Sequence, residues 1–422
     1  MSRRRLRFIH SSDWHLERPL GGLVEVPQRL RPVFGEAPYL AAEKVVSAAL
    51  AEQVDFVVLA GDVVDIELAG PHGAAFLVRQ FKRLAQRHVP VYWAAGRVDR
   101  PEQWPVALRV PDNVFRFSSR RPQDFIVQPG DHPLARVTGM SRPRGGKIRA
   151  ADFWPDPDGL PTIAVTPGRA SRSALATRRL TYWALGGRHS RVDMLDAPHL
   201  AHYSGSPQAR HPDETGAYGC TVVEIDEEGR VHTRPVATDV VRFCRRRTTV
   251  NPSTTADDLE SRLAEQMREL HSAVPDLHLL VSWAVNGTGP LVAELRRGGL
   301  ANEVLSRLRR RVEHDTPIVW SVSLEVEPEA AVPPAWLQHD SLLGDFLRSL
   351  AQFDGQSEQD PADLVGPLEE LAGQGHEPEE IERLVRLSDS DRRRVLQHAA
   401  LLGADLLSHD GSGTPSSVEA RI

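Results

Sequence analysis

This sequence of 422 residues predicts an α/β fold in which parallel strands are joined by crossover helices, followed by a small α+β unit and a helical tail. Three observations carry the prediction. Strand-like and helical runs alternate through the N-terminal part. Polar motifs follow directly on the strand-like runs. The rhythm changes at Arg242-Phe-Cys-Arg-Arg-Arg247.

In chain order, Leu6 to His10 reads as a short buried strand and Ala41 to Gln53 as a helix. Asp55 to Ala60 is a β-branched, apolar run of strand length. Phe76, Leu77, Phe81 and Leu84 fall near helical spacing, and Val91 to Ala95 is strand-like again. Between Asn113 and Ile225 strands become more frequent, with Thr162–Val165, Leu180–Leu185 and Cys220–Ile225 the clearest. Beyond residue 246, Asp257–Leu270 and Gly289–Leu308 are helical in pattern. They flank strand-like Leu279–Val285 and precede Ile318–Val326, and Ala331-Val-Pro-Pro334 punctuates the end. From Trp336 the chain is acidic and helical, broken at Pro361 and Pro378, and from Gly411 it is expected to be disordered. The expected domains are therefore 1–245, 246–332, a helical region 333–410, and a tail 411–422.

Composition narrows the class. The length suits two or three domains of roughly 100–200 residues each. Hydrophobic residues make up 41% and charged residues 26%, as in an ordinary globular protein. No run of about 18 apolar residues is present, so no membrane span is expected. Met1 to His10 carries charge but not the long apolar run of a signal peptide. Cys220 and Cys244 are too few for a disulfide framework, so a cytoplasmic location is the expectation. The net charge of −6 argues against a chain that coats nucleic acid by bulk charge, while leaving room for a local basic groove. Arginine greatly outnumbers lysine, as GC-rich coding would produce.

The chemistry lies in motifs at the ends of the strand-like runs, where α/β sheets place their ligand sites. In Ser12-Asp13-Trp14-His15, an aspartate and a histidine two apart point the same way and can grip one cation; a hard oxygen with an imidazole suits Mn, Fe or Zn. In Gly61-Asp62-Val63-Val64-Asp65, an aspartate after a sharp glycine turn can bridge cations or cap the next helix. There follow Gly96-Arg97-Val98-Asp99, Thr162 to Gly168, Tyr182-Trp-Ala-Leu-Gly-Gly-Arg-His189, Tyr203-Ser-Gly-Ser-Pro-Gln208 and Gly219 to Glu224.

In this order and spacing the set resembles the calcineurin-like metallophosphoesterases, and within them the SbcD/YhaO-type DNA-repair exonucleases. The run Tyr203 to Gln208 favours that branch. The resemblance covers about residues 5 to 245. It implies a β-sandwich flanked by helices, with the following α+β unit in the position of a capping domain. It implies phosphodiester hydrolysis on DNA. The family holds one metal with the residues that correspond to Asp13, His15, Asp62 and His189, and all four match. The second metal needs Asp62 again and the positions that here read Arg97, Pro167 and Gly187, none of which can ligate a cation through its side chain. The family's leaving-group histidine is Val98. The resemblance therefore implies one divalent ion, Mn foremost with Fe or Zn also suited, and an impaired or altered one-metal chemistry.

Two alternatives stand beside that reading: a catalytically inactive DNA-binding or scaffold subunit, and a phosphatase on a small phosphoester. Arg97 occupies the position of the lost subsite, with Arg169 and Arg188 in neighbouring loops. A guanidinium there could bind a phosphate in place of the second ion. His72, His199, His202 and His211 are further candidates for replacement ligands. Arg142, Arg144, Lys147 and Arg149 form a basic loop ahead of Phe153 and Trp154, a pattern that suits nucleic-acid contact; Arg245–Arg247 and Arg307–Arg311 are similar charge runs. Leu342, Leu343, Phe346, Leu347 and Leu350 give the C-terminal region an apolar face. The resemblance implies a partner for it, an SMC-like coiled-coil ATPase of the SbcC/YhaN type, and leaves a homodimer open.

Overall fold

The structure, a computed structural model, describes residues 4–23, 26, 28–99, 104–105, 107–128, 130, 132–312, 314–327 and 341–355, with 396, 399, 400 and 403. Its contacts divide the chain into two compact units. One comprises residues 1–245, 266–282 and 311–322; the other comprises 246–265, 283–310 and 323–422.

The first unit begins with β1 (Leu6–Ser11), α1 (Arg31–Ala51), β2 (Phe56–Leu59), α2 (Ile66–Ala85), β3 (Val91–Trp93) and β4 (Val114–Arg116). These four strands run parallel, as the alternation predicts. Next come β5 (Gln123–Val127), β6 (Ala135–Gly139), β7 (Thr162–Pro167), α3 (Arg172–Ala176), β8 (Tyr182–Gly186), β9 (Val192–Leu195) and β10 (Leu200–Tyr203). β11 (Gly219–Ile225) and β12 (Val231–Ala237) complete the set. One six-stranded sheet has the order β12-β11-β1-β2-β3-β4 and the other β5-β6-β7-β8-β10-β9.

Side-chain alternation along each strand explains how the layers form. On β1, Phe8 turns to the space between the sheets, where it meets Phe56, Tyr92, Ile163, Val165 and Tyr182. Ile9 turns outward beneath α1 and α2, against Val45, Val57 and Phe81. On β8, Tyr182 faces the sandwich interior while Trp183 faces a third cluster with Phe153 and Leu175. The sequence-based expectation of α1 began at Ala41; the helix starts ten residues earlier. Phe34 and Ala37 extend the buried stripe of Ala41, Val45 and Ala49, and a proline in the first turn is favourable there.

The remaining elements are β13 (Val241–Val250), α4 (Ala256–Ala273), β14 (His278–Gly287), α5 (Pro290–Arg296), α6 (Gly299–Arg311), β15 (Val319–Val326) and α7 (Leu342–Gly355). β13, β14 and β15 form a three-stranded sheet in that order. The single helix expected over Gly289–Leu308 is two helices, because Gly298 takes φ 86°, a left-handed C-terminal cap that ends α5. Of the helical region expected over 333–410, α7 and four positions between 396 and 403 are described. There Leu347 is buried and Leu342 exposed. The tail expected over 411–422 lies outside the described residues.

Candidate metal centre

The carboxyl ends of β1, β2, β3, β7 and β8 meet at one cavity of about 650 Å³ in the first unit. Its lining includes Asp13, His15, Asp62, Arg97, Pro167, Gly187 and His189. Parallel strands bring successive strand ends to the same edge, so motifs separated by up to 176 positions (13 to 189) become neighbours.

Asp13, His15 and His189 each offer one ligand atom, and these atoms lie within 4.8 Å of one another. Two carboxylates orient the imidazoles. Glu17 Oε1 lies 3.0 Å from His15 Nδ1, and Glu214 Oε1 lies 2.7 Å from His189 Nδ1. Burial works against the charge of Glu214, but the bonds from His189 and from the Arg210 N–H hold its carboxyl down to about 2. Burial likewise opposes ionisation of Glu17, and the bonds from His15 and the Asp65 N–H outweigh it. An ionised carboxylate only accepts, so each Nδ1 carries a proton and Nε2 is the ring nitrogen left to offer a metal. This carboxylate–histidine pairing is the arrangement in which ligating histidines are usually held. Asp13 is buried, which raises its pKa despite the Gly187 N–H donated to Oδ2 at 2.9 Å; a buried carboxylate of this kind calls for a cation. The three residues thus fit a divalent metal, and they supply mixed oxygen and nitrogen ligands.

The backbone is forced into the left-handed region here. Asp13, His15 and Asp62 have φ of 54°, 44° and 53°. Such conformations are strained by about 1–3 kcal/mol each and tend to gather at functional sites. Hydrogen bonds from Asp13 N to Gly61 O (2.9 Å) and from His15 N to Asp62 O (3.1 Å) lock the two loops together.

Asp62 lines the same cavity but stands outside the trio of Asp13, His15 and His189. Its Oδ1 accepts the N–H groups of Arg97 (2.6 Å) and Val98 (3.0 Å). The capping role that the motif Gly61–Asp65 left open falls to Asp65, whose side chain accepts from Glu67 and Leu68 at the start of α2. Asp99 secures the turn beneath: it accepts from Trp93 Nε1 (2.7 Å), Gly96 N (2.6 Å) and Asp62 N (3.1 Å), and burial pushes it up to about 7.

The cavity that holds the trio is also lined by cations. Arg18, Arg97, Arg142 and Arg169 line it, all exposed. Pro167 and Gly187, positions at which the resemblance implies ligands of a second ion in the family, also line the cavity, and the Gly187 main chain serves Asp13. Arg188 does not line this cavity; it lies over the Tyr203 ring, 5.1 Å from its centroid. None of the other candidate histidines joins the trio among the described residues. His72 packs on Tyr39, His199 bonds Leu180 O, His211 pairs with Asp213, and His202 is buried between the sheets. Of the basic loop, Arg142 reaches the metal cavity, while Lys147 and Arg149 line a second one; the Arg144 side chain lies outside the described residues.

The run Tyr203–Gln208 works as scaffolding. Tyr203 Oη donates to Gly168 O (2.9 Å), and Ser204 meets Ser12 (3.0 Å). Ser206 Oγ accepts from buried Arg210, and Gln208 Oε1 accepts from Val240 N (2.9 Å). Glu17, Arg18 and Glu214 were not singled out in the sequence. Glu17, two places after His15, was findable by spacing; Glu214 gave no local signal.

Residues 6–198 match the family model of the calcineurin-like phosphoesterases, a family whose members depend on divalent metal ions. It is 28% identical over 343 residues to a protein described as the uncharacterized metallophosphoesterase YhaO of Bacillus subtilis (strain 168), covering 77% of this chain and 82% of that protein. Among solved structures, a dimetal phosphatase from Danio rerio aligns over 56% of this chain and 99% of its own, at 11% identity and a TM-score of 0.34. Vps29 from Entamoeba histolytica, in complex with zinc, aligns over 56% and 100% at 10% identity and a TM-score of 0.26.

Proposed function

We propose that the chain is a metal-dependent hydrolase of DNA phosphodiesters, of the DNA-repair exonuclease type, working with a single ion and an arginine wall in place of the second. One observation carries the reading: one cavity is lined both by the trio Asp13, His15 and His189 and by Arg97, Arg142 and Arg169. A divalent ion bound by Asp13, His15 and His189 would polarise a phosphoryl oxygen and lower the pKa of a bound water. Glu17 and Glu214 fix the two imidazoles for that ion. The guanidiniums supply positive charge and planar donor pairs matched to phosphate oxygens. The turn at Arg97 and Val98 is held by Asp62 and Asp99, so its arginine sits on a fixed base.

The test combines metal analysis with a Mn²⁺-supported nuclease assay on single- and double-stranded DNA, using Asp62→Ala and Arg97→Ala as comparisons. About one tightly held ion per chain, and cleavage lost in both variants, is the expected result. Two tightly held ions, or cleavage indifferent to Arg97→Ala, sinks the arginine reading. A second reading, a non-cleaving DNA-binding subunit of an SMC-like ATPase complex, is favoured by the engagement of Asp62 Oδ1 with main-chain donors and by Val98 at the acid's position. DNA binding without cleavage, together with co-purification of a coiled-coil ATPase, selects it.

A further inference from the structure

Beside the metal cavity lies a second one of about 560 Å³, and Pro143 lines both. Its size is within the usual range for small-ligand pockets. Arg120, Lys147 and Arg149 contribute positive charge to its lining, against the single carboxylate of Asp152. All three are exposed, and among the described residues no carboxylate pairs with them. Buried Ile148 lies between Lys147 and Arg149 in sequence, so the pair shares the outward side of an extended segment.

The segment between the cavities is anchored at several points. Arg142 N donates to Ala95 O (2.9 Å), Arg169 N to Gly146 O (2.7 Å) and Ile148 N to Arg169 O (2.9 Å). A Cβ on Gly168 would lie 2.8 Å from Gly146 O, so the two loops lie as close as glycine permits. The chain thus presents cations on both sides of a braced partition: Arg142 and Arg169 towards the metal trio, Lys147 and Arg149 away from it.

We infer that the second cavity is a subsite for a further phosphate of the same substrate, so that the centre prefers a strand carrying phosphates beside the scissile one over an isolated phosphoester. The inference rests on the phosphoesterase reading above. A lone phosphate needs only the first cavity; a second cationic basin next to it becomes useful when a backbone delivers a second anion. Each phosphate neutralised on a single strand releases counterions and adds about 0.7 to the salt slope of binding.

The experiment uses the full chain with Mn²⁺ and an Arg120→Ala/Lys147→Ala/Arg149→Ala variant. Binding of a 5′-phosphorylated, fluorescently labelled tetrathymidylate is followed by anisotropy across a salt series. Hydrolysis of the same oligonucleotide and of bis(4-nitrophenyl) phosphate, which carries no flanking phosphate, is measured in parallel. The expected result is at least a tenfold rise in the oligonucleotide Kd, a salt slope shallower by about 0.7 or more, and unchanged turnover of bis(4-nitrophenyl) phosphate. Unchanged oligonucleotide affinity and salt slope overturn the subsite. If the unaltered chain hydrolyses neither substrate, the phosphoesterase reading fails, and the binding arm still decides whether the cavity holds a phosphate. Equal loss on both substrates also overturns the proposal, since it marks damage to the metal cavity.

Discussion

Acid should destabilise the sandwich through one buried histidine pair, and His10→Gln should blunt the effect. His10 is fully buried between the sheets, with Nε2 3.2 Å from Leu185 O and Nδ1 2.9 Å from Tyr182 Oη. A carbonyl only accepts, so Nε2 carries the proton and Tyr182 donates to Nδ1. His202 then donates Nδ1–H to Tyr182 Oη (3.2 Å) and accepts at Nε2 from Thr221 (3.1 Å), whose oxygen accepts from Arg191 (3.0 Å). With both rings neutral every donor in this chain of bonds meets an acceptor. Burial pushes His10 down to about 3 from 6.5, and His202 moves in the same direction. The folded state therefore binds fewer protons than the unfolded state between these values. The stability contribution is fully present above about pH 6.5 and is lost as pH falls towards 3. At pH 6.5 the unfolded ring is half protonated, so from pH 6.5 to 4.5 the loss is roughly 2 kcal/mol from His10 alone. Urea denaturation followed by tryptophan fluorescence at pH 7.0, 6.0, 5.0 and 4.5 measures this. His10→Gln should lower stability at pH 7 by about 1–3 kcal/mol, through the disturbed hydrogen bonds. It should also reduce the acid slope by about 1.4 kcal/mol per pH unit. Identical slopes for the two proteins would refute the reasoning, because carboxylate titration is common to both and cancels.

Three further outcomes follow from the site. Glu214→Ala removes the carboxylate that orients His189 and should weaken Mn²⁺ binding about 10–100-fold by calorimetry, with the fold intact; an unchanged Kd contradicts the pairing. Asp99→Ala strands three donors in the interior, at Trp93, Gly96 and Asp62. It should lower stability by about 3 kcal/mol or more in chemical denaturation, and a loss under 1 kcal/mol would show that water replaces the carboxylate. Gly96→Ala would place a Cβ 2.5 Å from Asp62 N and 2.6 Å from its Oδ1. The variant should lose about 1–3 kcal/mol of stability, and wild-type thermal and DNA-cleavage behaviour would disprove the close approach.

Much of this centre was legible because it depends on short-range rules. The Asp13–His15 spacing and the strand-end placement of each motif are local facts, and parallel pairing of β1, β2 and β3 turns them into proximity. The two aspartates of Gly61–Asp65 show where locality runs out. Both suit a cap or a ligand, and only the start of α2 at Ile66 assigns capping to Asp65 and leaves Asp62 facing the cavity. Gly298 is a similar case: the helical pattern continues across it, and the left-handed turn that divides α5 from α6 leaves no mark on the apolar periodicity.

The sequence by itself determined the α/β alternation, the order of the motifs, and the residue types at Arg97, Pro167 and Gly187, none of which offers a side-chain ligand, because these are set by residue type and period. The tertiary structure decided which partners those residues take. Glu214 meets His189 across 25 positions, His10 meets His202 across the interior, Asp62 turns an oxygen to the main chain of Arg97 and Val98, and Arg18, Arg142 and Arg169 line one cavity. The physical reason is that a hydrogen-bond or ionic partner is selected by where the chain returns in space, and that return depends on the packing of whole sheets and loops rather than on any neighbouring stretch of sequence.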